Sequence, residues 1–329
     1  KGSNNMGQQC LEFVTVDVFT QETFGGNPLA VFFSGERLSD RLMQQIAREM
    51  NYSETTFVLP PVDPANTARV RIFTPVSELP FAGHPNVGTG YVLANYPAAV
   101  PARCSVKTST NPETGRFQAS MRFEEKAGLV HVLVDISSDD KAQLARIAAP
   151  QALQQRSGHT IEAMARALNL EPDQILGSGV GSTIVSVGIE FPVVEVGDLH
   201  VLQQASANVE QFKRLSLNPG MTGANAGVEE AFLVYVYCRN GSDEVSARMF
   251  GPLHGVPEDP ATGSAAGALA GSLAQRDNID GHMRYQITQG IEMGRPSRIV
   301  VDVERINGQI ATIKISGECV EVIKGTLSF

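Results

Sequence analysis

Two stretches of small residues constrain the fold more than any other feature of the chain. One runs from His84 to about Asn95, the other from Asp259 to about Gln275. Each carries a proline suited to a helix's first turn, followed by Gly, Ala, Thr, Ser, Val and Leu with no polar face. A helix that is apolar all round has to be buried on every side. Each glycine costs a helix about 1 kcal/mol relative to alanine, so closely approaching neighbours must compensate. The rest of the chain supplies the wrapping. Phe13–Phe19, Leu29–Phe33, Thr56–Leu59, Val70–Phe73, Thr183–Val187, Val193–Val196, Phe232–Tyr237, Val245–Phe250, Ile299–Val303 and Ile310–Ile315 all read as strands. Gly25-Gly26-Asn27-Pro28 reads as a turn. Amphipathic helices are few. One is capped by Ser39, with Leu42, Met43, Ile46, Ala47 and Met50 on one face; one runs from about Ser138, with Leu144 and Ile147; one begins near Thr160. This pattern predicts curved sheets or barrels rather than alternating β-α units.

The two stretches also match each other. His84 and Asp259, Pro85 and Pro260, Gly88 and Gly263 share one offset, and so do Thr56–Leu59 and Ala231–Val234. Arg71-Ile72-Phe73-Thr74-Pro75 leads into the first stretch, Arg248-Met249-Phe250-Gly251-Pro252 into the second. Asn27-Pro28-Leu29-Ala30-Val31 resembles Phe191-Pro192-Val193-Val194-Glu195, each ahead of an acidic helix start. Because the matches keep their order, the chain reads as a duplication. The lobes are expected at 11–136 and 137–329, split within 125–155, with the final strand free to cross between them. A pocket then belongs between the lobes. Each central helix would aim unpaired, partly positive N–H groups at it, a suitable site for a carboxylate. Gly88-Thr89 and Gly263-Ser264 leave room for that approach.

Composition narrows the classes. At roughly 150 residues per domain, the 329 residues make about two domains, with ample core. Apolar residues at 42% and charged residues at 19% exclude a disordered chain, a collagen and a coiled coil. A net charge of −9 argues against a nucleic-acid partner. No apolar run reaches the ~20 residues that span a bilayer, so no membrane partner is expected. Cys10, Cys104, Cys238 and Cys319 stand far apart, with no metal-ligand spacing. They read as reduced, mostly buried thiols in a cytoplasmic protein. The residues ahead of Met6 look like a cloning remnant.

Five motifs occur in order: Gly25-Gly26-Asn27-Pro28, Asn51-Tyr52-Ser53-Glu54-Thr55-Thr56-Phe57, Arg71-Ile72-Phe73-Thr74-Pro75, Gly83-His84-Pro85 and Asp259-Pro260-Ala261-Thr262-Gly263-Ser264-Ala265. Together they resemble the phenazine-biosynthesis PhzF-like family, relatives of diaminopimelate epimerase. The resemblance spans most of the chain from about Phe13. It implies an α+β fold of two pseudo-symmetric lobes, each a β-barrel wrapped around a central helix. It also implies a homodimeric isomerase that needs no metal or organic cofactor. The family's type enzyme isomerises dihydro-hydroxyanthranilic acid, a cyclic amino acid, by proton transfer. Glu54 falls on the family's acid/base glutamate and Asp259 on its second-lobe aspartate, with His84 orienting the substrate. Gly83, Gly263 and Ser264, at the two helix starts, are the candidates for binding the substrate carboxylate.

Physical chemistry is compatible with these roles but leaves alternatives. A free Glu titrates at ~4.3, so a base poised near neutrality needs a rise of roughly two to three units. Burial or a nearby carboxylate would supply it. Outside the motif, Glu54 equally reads as a loop charge, and Asp259 as a helix cap whose pKa would fall. His84 equally reads as a turn residue and Ser264 as a small packing residue. The same residues also fit a non-catalytic carboxylate-binding protein. His84, Asp259 and Ser264 contain the letters of a hydrolase triad, although Ser264 lacks a G-x-S-x-G context. Gly177-Ser178-Gly179-Val180-Gly181 lacks the spacing of a nucleotide loop. A two-thiol racemase is disfavoured, because Val87 and Thr262 precede the glycine-containing helix starts where its cysteines would stand.

Overall fold

The computed structural model describes residues 10–97, 106–110, 117–139, 141–177, 180–217, 232–253 and 255–329. Cys104, Ala231, the residues before Cys10 and the Ser178-Gly179 centre of the glycine loop lie outside the described residues. The first lobe contains β1 (Cys10–Val18), β2 (Asn27–Phe32), α1 (Asp40–Met50), β3 (Glu54–Leu59), β4 (Ala68–Phe73), β5 (Glu78–Leu79), α2 (Gly83–Asn95), β6 (Lys107–Thr110), β7 (Phe117–Glu125), β8 (Gly128–Ile136) and β9 (Ala142–Ala148). The second begins with β10 (Gln154–Ser157), α3 (Ile161–Leu168), β11 (Thr183–Ser186), β12 (Glu190–Glu195), α4 (Leu199–Gln204), α5 (Val209–Ser216) and β13 (Val234–Arg239). It continues with β14 (Glu244–Gly251), β15 (Val256–Asp259), α6 (Gly263–Asp277), β16 (Gly281–Gln289), β17 (Ser297–Ile306) and β18 (Gln309–Ser328).

Strand pairing closes the first lobe. β1–β2 is antiparallel, β2–β3 parallel, β3–β4 antiparallel and β4–β7 parallel. β7–β8, β8–β9, β9–β18 and β18–β1 then complete an eight-strand ring, all antiparallel. The second lobe repeats the order. β11–β12, β12–β13, β13–β14, β14–β16 and β16–β17 alternate antiparallel and parallel in the same sequence as β1–β2 through β7–β8. β18 pairs first with β17, then with β9, then with β1. The α+β architecture of two pseudo-symmetric lobes is therefore present.

Each lobe is wrapped around its small-residue helix. α2 contacts β1, β2, β3, β8, β9 and β18; α6 contacts β11, β12, β16, β17 and β18. Val92 and Leu93 of α2 and Leu269 and Leu273 of α6 are at most 2% exposed. Each such side chain stabilises the fold by about 1.5–3 kcal/mol. The expected close approach is real: a Cβ on Gly88 would stand 2.6 Å from Leu29 Cδ2. The amphipathic helices cover outer faces. Ser39 Oγ caps α1 through Leu42 N, Thr160 Oγ1 caps α3 through Ala163 N, and Asn51 ends α1 in the left-handed conformation. Among the described residues, no helix is long and apolar enough to cross a membrane. Cys10 is exposed, Cys238 and Cys319 are buried, and all three are free thiols.

Four local expectations change. The segment read as a helix from about Ser138 is the strand β9, because pairing with β8 and β18 outweighs its alanine content. The turn before β2 ends at Gly26, and Asn27 and Pro28 already pair with Val18 and Asp17. Pro260 and Asp259 precede α6, whose N-cap is Thr262, so Asp259 is no helix cap. The repeat also slips register. Phe73 faces Glu78, whereas Phe250 faces Glu258 across a longer hairpin. The paired ions confirm this register: Arg71 forks onto Glu78 and stacks on Phe73, as Arg248 does onto Glu258 and Phe250. The counterpart of Asp259 is thus Leu79, and that of His84, second in α2, is Ser264, second in α6.

Candidate active site

The two helix starts abut. A Cβ on Gly83 would stand 3.2 Å from Ser264 N and 3.6 Å from Gly263 Cα. Neither N-cap residue, Ala82 or Thr262, places a side chain on its helix's first N–H groups. Thr262 turns its hydroxyl to Asp259 Oδ2 instead, at 2.6 Å. Unpaired first-turn N–H groups of two helices therefore converge, as an anion site requires.

Around this point the fold gathers the acid–base candidates. Glu54 opens β3, His84 lies in the first turn of α2, and Asp259 ends β15. His84 Nε2 is 3.3 Å from Glu54 Oε2, without hydrogen-bond geometry, and neither atom has another partner. The side chains are 5% and 16% exposed. Asn27, first in β2, joins the lobes. Its Nδ2 donates to Asp259 Oδ1 at 2.8 Å and to Ala261 O at 2.9 Å, and lies 3.3 Å from His84 Nδ1. Its Oδ1 accepts from Ser53 Oγ at 2.7 Å. The two acceptors Asp259 Oδ1 and Ala261 O, with Ser53 donating to the oxygen, fix the amide's orientation. An amide nitrogen cannot accept, so its contact with His84 assigns Nδ1 as an acceptor and puts the ring proton on Nε2, on the side of the ring that lies 3.3 Å from Glu54 Oε2.

Gln289, the last residue of β16, holds the other side. Its Nε2 donates to Asp259 O at 2.8 Å and Thr262 Oγ1 at 3.1 Å. Its Oε1 accepts from Thr262 N at 3.1 Å and Tyr235 Oη at 2.9 Å. Asn27, Ser53, Thr262 and Gln289 carry no assigned role in the sequence reading. Asn27, Ser53 and Thr262 stand inside the quoted motifs; Gln289 follows no motif and has no local signal.

The electrostatics follow from burial. Desolvation, then the negative charge of Asp259, pushes Glu54 up to about 8, against a weaker lowering by Ser53. Desolvation also raises Asp259, to about 6, while Thr262 and Asn27 hold it down. Desolvation lowers His84 to about 3, so its imidazole is neutral. The site thus holds two carboxyls that keep their protons to higher pH than usual and one neutral imidazole.

Other arrangements are not assembled. No hydrogen bond joins Ser264 to His84, whose ring nitrogens face Asn27 and Glu54, and the Asp259 oxygens belong to Asn27 and Thr262. The triad therefore lacks its contacts. The helix-start position matching Thr262 is Ala82, whereas Val87 lies a turn inside α2; neither start carries a cysteine. Among the described residues, no group of three or more His, Cys, Asp or Glu is placed to hold a metal ion.

Known proteins share this plan. An uncharacterized isomerase of Mesorhizobium japonicum is 36% identical, covering 97% of this chain and 99% of its own. The trans-2,3-dihydro-3-hydroxyanthranilate isomerase of Pseudomonas aeruginosa is 34% identical over 93% of this chain and 95% of its own. Among solved structures, a Bacillus anthracis phenazine biosynthesis protein of the PhzF family superposes with a TM-score of 0.78. It is 23% identical and covers 97% of this chain and 99% of its own. The model of one family, the phenazine biosynthesis-like proteins, matches residues 16–325. With that match running through both lobes and every residue of the candidate site, the chain belongs to the phenazine biosynthesis-like (PhzC-PhzF) family.

Proposed function

We propose that this isomerase moves a proton within a small, amino-acid-like carboxylate bound between the lobes, with Glu54 as the shuttle. The observation that carries the reading is the buried, partnerless Glu54 Oε2 standing 3.3 Å from the partnerless Nε2 of a neutral His84. As a carboxylate, Glu54 takes a proton from one carbon; the bonding electrons shift along an adjacent double bond. The resulting carboxylic acid returns the proton to another carbon of the same molecule, so the enzyme is regenerated without net change. A pKa raised toward neutrality suits both halves of this exchange. His84 Nε2–H and Asp259 orient the substrate's polar groups. Its carboxylate sits on the N–H groups at Gly83, His84, Gly263 and Ser264. The reading needs no metal or organic cofactor and envisages a cytoplasmic homodimer.

trans-2,3-Dihydro-3-hydroxyanthranilate, named in the Pseudomonas relative, is the first substrate to try. In deuterated water, wild-type protein should place deuterium on substrate carbon. Glu54→Gln should lower that exchange by about 10²–10⁴-fold while leaving binding largely intact. Exchange at the wild-type rate would overturn the role of Glu54. Tight binding without exchange or isomerisation in the wild type would instead make this a carboxylate-binding protein.

A further inference from the structure

We infer that Arg295, in the loop between β16 and β17, is a positioning residue that locks Asn27 of the first lobe onto Asp259 of the second. Its guanidinium reaches across the lobes. Nε donates to Gly26 O at 2.8 Å, and Nη2 donates to Gly25 O at 2.7 Å and Asp17 Oδ1 at 2.6 Å. Beside it, Gly26 N donates to Pro296 O at 3.0 Å. The backbone immediately before Asn27 is thus held by the second lobe. Asp17 is nearly buried, and its other oxygen accepts from Phe24 N at 2.7 Å, which fixes the start of the same turn.

The loop's other end grips Asp259. Gln289 bonds Asp259 O and both the backbone and the hydroxyl of Thr262. Gly290 follows at φ +79°, and a Cβ there would stand 2.6 Å from Pro260 O and 2.4 Å from Arg295 O. A single short loop therefore fixes both residues joined by the Asn27 Nδ2–Asp259 Oδ1 bond. Three acceptors on two sides of one planar group need the guanidinium fork; a lysine ammonium on its flexible stem reproduces neither the spacing nor the plane. When the turn is released, Asn27 drifts from Asp259 and His84. Asp259 then holds its proton more tightly and repels Glu54 less.

The inference rests on Glu54 acting as the proton shuttle beside the charge of Asp259, but its test needs no substrate. The side-chain carboxyl of Glu54 is followed by NMR in the full chain with isotope-labelled glutamate. Its signal is assigned by its loss in Glu54→Gln. In Arg295→Ala the Glu54 titration should fall toward the ordinary carboxylate range by about one pH unit or more. Arg295→Lys should show the same fall, and it carries the test if the alanine variant does not fold. A wild-type Glu54 titration in a folded Arg295 variant would reduce Arg295 to a structural tie. That result is separable from failure of the catalytic reading, which shows as undiminished deuterium exchange in Glu54→Gln.

Discussion

Thr262 donates its hydroxyl to Asp259 at 2.6 Å and leaves the helix it precedes uncapped. A threonine cap is ordinarily worth ~1 kcal/mol to a helix. Here that capacity serves a buried carboxylate. Thr262→Ala removes one of the two side-chain donors that hold Asp259 down. A hydrogen bond to a charged acceptor is worth about 1.5–3 kcal/mol, or roughly one to two pH units. Asp259 then keeps its proton to higher pH and repels Glu54 less, so the acid limb of the pH–rate profile, set by ionisation of the Glu54 base, should move to lower pH, with little change in helix stability. Thr262→Ser keeps the hydroxyl and should keep the wild-type profile. An alanine variant with an unshifted limb would remove Thr262 from the site's electrostatics.

Glu54 also makes folding pH-dependent. Its carboxyl ionises near 4.5 in the unfolded chain and near about 8 in the folded one. Between those values the unfolded chain has released a proton that the folded chain keeps. The contribution of Glu54 to stability therefore declines as pH rises through that window. His84 acts oppositely: it stays neutral when folded down to about 3, so its penalty at low pH is relieved as pH rises through 6.5. Comparing Glu54→Gln with wild type cancels the His84 contribution. The variant should gain melting temperature over wild type between about pH 5 and about pH 8, the gain growing with pH. A constant difference across that range would mean that Glu54 titrates as an ordinary carboxylate.

What the sequence reveals follows the range of the forces involved. The two central helices are legible because a run such as Gly263-Ser264-Ala265-Ala266-Gly267-Ala268 has no face to show water, a property of composition alone. α1 and α3 are legible because Ser39 and Thr160 act within a few residues of the turns they cap. β9 is not legible. Ala142, Ala145 and Ala148 favour a helix locally, and only β8 and β18, distant in sequence, make the segment a strand. The pairing of His84 with Asp259 fails for a related reason. Identical offsets ignore the longer β14–β15 hairpin, which the Phe250–Glu258 register and the Arg248–Glu258 fork reveal. At the site, Glu54, His84 and Asp259 lie in motifs. Gln289 and Arg295 reach the cluster through the fold, and no local spacing announces them.

Gly83 offers the sharpest test of the site between the helix starts. Its missing Cβ would lie 3.2 Å from Ser264 N, a tight contact that asks the start of α6 to yield by a few tenths of an ångström. Alanine is also favoured over glycine in a helix by up to about 1 kcal/mol. The two effects oppose each other, so Gly83→Ala should keep its stability within about 1 kcal/mol of wild type. The added methyl nevertheless covers Ser264 N–H and narrows the gap in which the substrate carboxylate is proposed to sit. Affinity for a carboxylate probe such as anthranilate should fall at least about tenfold, equivalent to roughly 1.4 kcal/mol. Calorimetric titration and thermal unfolding of the same two proteins separate the outcomes. A weakened affinity with a wild-type melting temperature locates the carboxylate between the helix starts; unchanged affinity in the folded variant places it elsewhere.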